Sequence, residues 1–132
     1  MALIEFFKTK GQSGFGYGST AEEVTRNLDL KGFTYLLTGC NSGLGLETLK
    51  ILCMRGANVF ACARTIDKAI HACSKISTRA IPLACDLSEP DSIKKAIVQI
   101  KSMGLLLDGI IANAAIMALP KLQKNHLNGT LT

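Results

Sequence analysis

With 132 residues, 48% of them apolar and 19% charged, the chain has the balance of a single globular domain and not that of a disordered segment. A formal charge of +5 spread along the chain reads as a solvated surface; it argues against a nucleic-acid partner and suits a phosphate-rich cofactor. The longest apolar stretch, residues 105–119, is broken by Asp108, Gly109 and Asn113 and is too short for a transmembrane helix, and residues 1–10 lack the basic start and cleavage site of a signal peptide.

In chain order, residues 11–18 form a glycine-rich lead-in, expected to be flexible. Thr20-Ala21-Glu22-Glu23 is a capping-box pattern and predicts a short helix to about Asn27. From Gly32 onward strands and helices alternate. Residues 33–38 predict a buried strand, and residues 44–55 a helix stopped by Gly56. A second strand is expected over 58–63. Thr65 then caps a helix whose Ile66, Ala69, Ile70 and Cys73 share one stripe.

A third strand is expected over 79–85. Ser88 is placed to cap the next helix, Pro90 fits its first turn, and Ile93, Ala96, Ile97 and Ile100 form its apolar stripe before Gly104 ends it. A fourth strand is predicted over 106–112. Continuous apolar strands alternating with helices predict an α/β fold, a doubly wound parallel sheet of the Rossmann type, truncated to about four strands with three crossover helices. The division expected is a lead-in over 1–30, a partial Rossmann domain over 31–119 and a short tail over 120–132.

The chemistry concentrates at the first turn. Thr38-Gly39-Cys40-Asn41-Ser42-Gly43-Leu44-Gly45 follows a strand and opens a helix with the spacing G-x-x-x-G-x-G. Gly39 permits the sharp turn, Gly43 lets backbone approach a pyrophosphate, and Gly45 lets the helix pack closely. The helix N-terminus offers amides and a positive dipole end to phosphates, and Asn41 and Ser42 add side-chain donors. About 20 positions on, an acidic residue would take a ribose hydroxyl. Here Arg64 ends the second strand and no acid occurs before Asp67, so NADP is favoured over NAD. The same arginine argues against a methyltransferase on a similar sheet.

These residues resemble the short-chain dehydrogenase/reductase superfamily over roughly residues 30–119. The glycine loop and Ala61-Cys62-Ala63-Arg64 are similar to those of its retinol-dehydrogenase and WW-domain-oxidoreductase-like members. Gly18-Ser19-Thr20-Ala21 is similar to the segment before the loop in those members and in chloroplast-translocon-type plant relatives. The resemblance implies that Asp86 and the amide of Leu87 meet the adenine ring. It implies too that Asn113 and Ala114, in Asn113-Ala114-Ala115, steady the sheet and line the nicotinamide-ribose side.

In that family a Tyr-x-x-x-Lys pair and a serine on a fifth strand perform hydride transfer between nicotinamide and an alcohol or carbonyl. The two tyrosines here, Tyr17 and Tyr35, are followed four positions later by Ala21 and Gly39, so neither forms the pair, and no catalytic residue is assigned. Lys124-Asn125-His126-Leu127 faintly echoes the family's Asn-His-Leu helix.

Five cysteines, at 40, 53, 62, 73 and 85, contain no C-x-x-C pair and read as small buried hydrophobes in a reducing, cytoplasmic setting, with no metal site expected. His71 and His126 read as surface residues. The fourth strand is expected to present residues 105–107, Ile110 and Ile111 to solvent or another chain, so self-association through that edge is expected. Three functions stay open: the NADP(H)-binding portion of such an oxidoreductase, a non-catalytic nucleotide-binding or regulatory remnant, and an inert product.

Overall fold

The computed structural model describes residues 10–116. The element order is α1 (Ala21–Val24), β1 (Thr34–Thr38), α2 (Gly43–Met54), β2 (Asn58–Ala63), α3 (Ile66–Ser74), β3 (Ala80–Ala84), α4 (Pro90–Ser102) and β4 (Gly109–Ile111). All strand pairs are parallel and lie in the order β3-β2-β1-β4, the doubly wound arrangement expected from the alternation of elements. The predicted tail and the Lys124–Leu127 echo lie outside the described residues.

β2 shows why the sheet is covered on both faces. Its side chains alternate: Val59, Ala61 and Ala63 join one apolar cluster, and Phe60 and Cys62 the other. The first cluster takes Leu49 and Cys53 of α2 and Ala69, Ala72 and Cys73 of α3; the second takes Ala96 and Ile100 of α4. Full burial of Phe60, the largest side chain sealed from solvent, contributes about 1.5–3 kcal/mol. Pro82 sits in β3, which among the described residues pairs on one side only, so its missing amide breaks no ladder bond.

Several boundaries and stripes differ from expectation, for identifiable reasons. The capping box of α1 forms, with Thr20 N donating to Glu23 Oε2 at 3.0 Å and Glu23 N to Thr20 Oγ1 at 3.2 Å. The helix nevertheless ends at Val24, not Asn27. Phe33 precedes β1. In α3 the buried residues are Ala69, Ala72 and Cys73, while Ile66 and Ile70 are about half exposed. The small side chains let this nine-residue helix lie close on the sheet and leave the isoleucines at its flank. Ile97 of α4 is likewise half exposed.

β4 is the largest departure, three residues in place of the seven over 106–112. Side chains replace the ladder at both ends. Asp108 Oδ2 accepts from Thr34 N at 2.7 Å and Asp108 N donates to Thr34 O at 2.8 Å, so regular pairing starts only at Gly109. Beyond Ile111 the next amides turn to the hydroxyl of Thr38. Leu106 and Ile110 are 87% and 67% exposed, but Ile111 packs against the first cluster and is not presented to solvent as expected.

Ahead of the sheet, Arg55 at the end of α2 ties α1 down. Its Nε donates to Thr25 Oγ1 at 3.1 Å, a second guanidinium nitrogen to Glu22 O at 2.6 Å, and its carbonyl accepts Leu30 N at 2.8 Å.

Candidate dinucleotide site

Parallel strands in the order 3-2-1-4 bring four chain turns to one edge of the sheet. Asp86 follows β3, Arg64 follows β2, Gly39 follows β1 and Asn113 follows β4. At the usual strand spacing this row runs about 14 Å, the scale of an extended dinucleotide. The carboxyl ends of strands at a point where the order reverses are where open α/β sheets bind ligands.

The β1–α2 loop has distinct uses for its three glycines. Gly39 has φ +70°, and a Cβ there would lie 2.9 Å from Ala114 Cα, so both the turn and the approach of the β4 end require glycine. A Cβ at buried Gly45 would strike the Gly39 carbonyl oxygen and come within 2.5 Å of Asn113 Nδ2. The close packing expected of Gly45 is thus against its own loop and Asn113. Gly43 differs. Its φ is +54°, but a Cβ would meet nothing within 4 Å, so the left-handed backbone here opens onto free space.

Asn41, Ser42, Gly43 and Leu44 are exposed, Leu44 at 82%. Ser42 is the N-cap of α2, yet its hydroxyl makes no cap hydrogen bond, so the first amides of the helix lack a side-chain cap from Ser42 at an exposed turn. Phosphate oxygens suit such a cradle.

Asn113 holds the loop in place. Its Nδ2 donates to Thr38 O at 3.1 Å and to Gly39 O at 3.3 Å. The hydroxyl of buried Thr38 in turn accepts the amides of Asn113 at 3.1 Å and Ala114 at 3.0 Å. Thr38 carries as much of this connection as Asn113, and sequence reasoning passed over it. Its signal was its place immediately before the first glycine. Ala114 is exposed beside Gly39.

At the other end of the row Arg64 and Asp86 face each other. Arg64 Nε stands 3.9 Å from Asp86 Oδ2. Asp86 Oδ1 accepts from Ser88 Oγ at 2.7 Å and Ser88 N at 3.0 Å. The Ser88 hydroxyl bond, the backbone bond and the Arg64 charge outweigh partial burial and hold the Asp86 carboxyl below the usual aspartate range. Ser88 therefore does not cap α4: Glu89 occupies the N-cap, with Pro90 in the first turn as expected. Thr65 is the N-cap of α3 by position, without a side-chain cap bond. Leu87 is about half exposed next to Asp86.

The remaining chemistry-bearing groups lie elsewhere. Cys40, Cys53, Cys62 and Cys73 are buried and Cys85 partly so, all as free thiols. Burial pushes the Cys40 and Cys53 thiols up to about 11 and Cys62 to about 12. Among the described residues there is no cluster of three or more His, Cys, Asp or Glu able to hold a metal, and no helix long and apolar enough to cross a membrane. Tyr35 packs against the first cluster and stacks on Phe33 with ring centres 6.5 Å apart. Tyr17 is solvent-exposed.

Residues 34–129 match the family model for short chain dehydrogenase, which covers most of the chain. The chain belongs to the short-chain dehydrogenase family. It is 38% identical over 116 residues to the short-chain dehydrogenase TIC 32 B, chloroplastic, of Brassica napus, covering 83% of this chain and 36% of that one. The human WW domain-containing oxidoreductase is 31% identical over 118 residues, which cover 85% of this chain and 28% of that protein. The chain thus spans about a third of the length of these short-chain dehydrogenase relatives.

Among solved structures, a 3-ketoacyl-(acyl-carrier-protein) reductase from Brucella melitensis complexed with NADH aligns with a TM-score of 0.63 at 28% identity, covering 75% of this chain and 40% of that one. A metagenomic short-chain oxidoreductase in complex with NADP aligns with a TM-score of 0.58 at 27% identity, covering 66% and 41% respectively. Short-chain dehydrogenases bind nicotinamide dinucleotides, and these two relatives carry the two forms.

Proposed function

We propose that this chain is the NADP(H)-binding portion of a short-chain dehydrogenase/reductase. The observation that carries the reading is the row at the carboxyl edge of the sheet. An open, left-handed Gly43 at the mouth of α2 stands between an arginine at the end of β2 and an asparagine at the end of β4.

In this reading the amides from Gly39 to Gly45, with Asn41 and Ser42, hold the diphosphate, and exposed Leu44 lies against it. Asp86 and the Leu87 amide take the adenine end. Arg64 takes the ribose 2′-phosphate, for which a guanidinium supplies paired donors. Asn113 and Ala114 border the nicotinamide ribose. A bound nicotinamide dinucleotide supplies the hydride donor or acceptor; the chain's own residues bind it, orient it along the strand ends and fix its register. The unit doing so is assigned to residues 31–119, with 1–30 as lead-in.

The 132 residues contain no Tyr-x-x-x-Lys sequence, so the chain by itself is expected to bind without turning over an alcohol or carbonyl. Five free cysteines fit a reducing, cytoplasmic setting. The exposed Leu106 and Ile110 at the β4 edge support self-association.

Fluorescence titration with NADPH and NADH tests the assignment. Saturable binding with NADPH the tighter is expected, and Arg64→Asp should erase that preference by about 10- to 100-fold, the size of a charge-assisted hydrogen-bonded pair. Binding of neither nucleotide overturns the reading; an unchanged preference in Arg64→Asp removes Arg64 from it.

A further inference from the structure

Asp86 has its two carboxylate oxygens committed in different directions. Oδ1 takes both bonds from Ser88, while Oδ2 faces Arg64 Nε at 3.9 Å. The amide of Asp86 donates to Ser92 Oγ in the first turn of α4 at 2.9 Å, so the backbone carrying the carboxylate is anchored from the helix. At 3.9 Å the carboxylate attracts the guanidinium without hydrogen-bonding it. Arg64, with 63% of its side chain exposed, remains accessible to a ligand.

The geometry sets up a competition for one cation. A carboxylate with both oxygens free takes a guanidinium bidentately, and a 2′-phosphate takes it in the same way. With Oδ1 occupied, Asp86 has a single oxygen left for Arg64. The Ser88 hydroxyl directs its proton to Asp86 and not to the start of α4, whose N-cap is Glu89.

We propose that Ser88 is a positioning residue for cofactor selectivity: by holding Asp86 Oδ1 it keeps that carboxylate from closing on Arg64 and leaves the guanidinium for the 2′-phosphate of the dinucleotide. The inference rests on the role given to Arg64 above. Without the Ser88 hydroxyl only the Ser88 amide, at 3.0 Å, still holds Oδ1; the Asp86 carboxylate then turns toward Arg64 and partly neutralises the charge that distinguishes the phosphorylated cofactor from the unphosphorylated one.

The test is the ratio of NADPH to NADH dissociation constants on the full 132-residue chain, read by nucleotide fluorescence. Adenine and diphosphate contacts are common to both nucleotides and cancel in that ratio. Ser88→Ala is expected to lower the preference for NADPH by about three- to fivefold, the scale of an exposed ion pair. Ser88→Thr, which keeps the hydroxyl, restores it. The Asp86→Asn/Ser88→Ala double variant loses none of the preference, since no carboxylate remains to close on Arg64.

A role for Ser88 in the turn alone would weaken both nucleotides together and leave the ratio unchanged, and that result overturns the proposal. Should Ser88→Ala fail to fold, Ser88→Cys carries the test, because its thiol is a weak donor to Asp86 Oδ1: the ratio falls, and an unchanged ratio overturns the proposal. A parent chain that binds neither nucleotide defeats the site assignment itself. A parent that binds both, with Ser88→Ala at the same ratio, defeats only this inference.

Discussion

Thr38 and Asn113, 75 residues apart, are joined by two hydrogen bonds, both donated by Asn113: its Nδ2 donates to the Thr38 carbonyl at 3.1 Å, and its backbone amide to the Thr38 hydroxyl at 3.1 Å. The end of β4 is thereby fastened to the turn that opens α2. The fourth strand controls the shape of the glycine loop although only three of its residues pair in the sheet.

Removing the Thr38 hydroxyl takes the acceptor from the Ala114 amide and leaves the Asn113 amide only the Ile111 carbonyl at 3.0 Å. Thr38→Val is therefore expected to destabilise the fold by about 1–3 kcal/mol in urea denaturation. Thr38→Ser should recover most of that loss. Equal stability of Thr38→Val and the parent would show that water replaces the hydroxyl at no cost.

Gly43 and Gly45 should both lose stability on substitution by alanine, for different physical reasons. At Gly45 the added methyl collides with the Gly39 carbonyl and Asn113, so stability falls by about 1–3 kcal/mol as in an overpacked core. At Gly43 the methyl meets open space and the cost is the left-handed backbone alone, about 1–2 kcal/mol. On the proposed assignment of the diphosphate to this loop, NADPH binding should nevertheless be lost in Gly43→Ala, whose methyl would stand in the diphosphate's path. Thermal denaturation and nucleotide titration on the two variants separate these effects.

Asp86 gives the fold a predictable acid limb. Its carboxyl is held below the ordinary aspartate value of 3.8, first by the Ser88 hydroxyl and with Arg64 contributing. A depressed folded value stabilises the protein when the group is charged, so the contribution is complete above about pH 5. It fades as pH falls through 4 and is gone below the depressed value. Asp86→Asn should be less stable than the parent at pH 7, with the difference closing on acidification. A constant difference across that range would mean that the carboxylate's charge contributes nothing.

The β4 edge should make the chain associate. Leu106 and Ile110 are the most exposed large side chains there, at 87% and 67%. Sedimentation is expected to give a species heavier than the 14.1 kDa monomer, and Leu106→Lys with Ile110→Lys to shift it back. A monodisperse monomer in the parent chain would contradict this.

Local signals in the sequence were sufficient for the helix and strand order, the parallel sheet and the glycine turn. Apolar periodicity and glycine punctuation act over a few residues, and the bounds of β2 and the ends of α2 and α4 follow them closely. The family motifs, being short contiguous strings, were legible for the same reason.

Contacts between distant segments were not legible. Asp108 and Thr34, Thr38 and Asn113 lie 74 and 75 residues apart, and their side-chain bonds trim β4 at both ends. Which face of α3 is buried was decided by how closely Ala69 and Ala72 can lie on the sheet, against the more hydrophobic isoleucines. Ser88 has the chemistry of a helix cap. A carboxylate two residues before it offered its hydroxyl a stronger partner, and only the folded turn placed that carboxylate opposite Arg64.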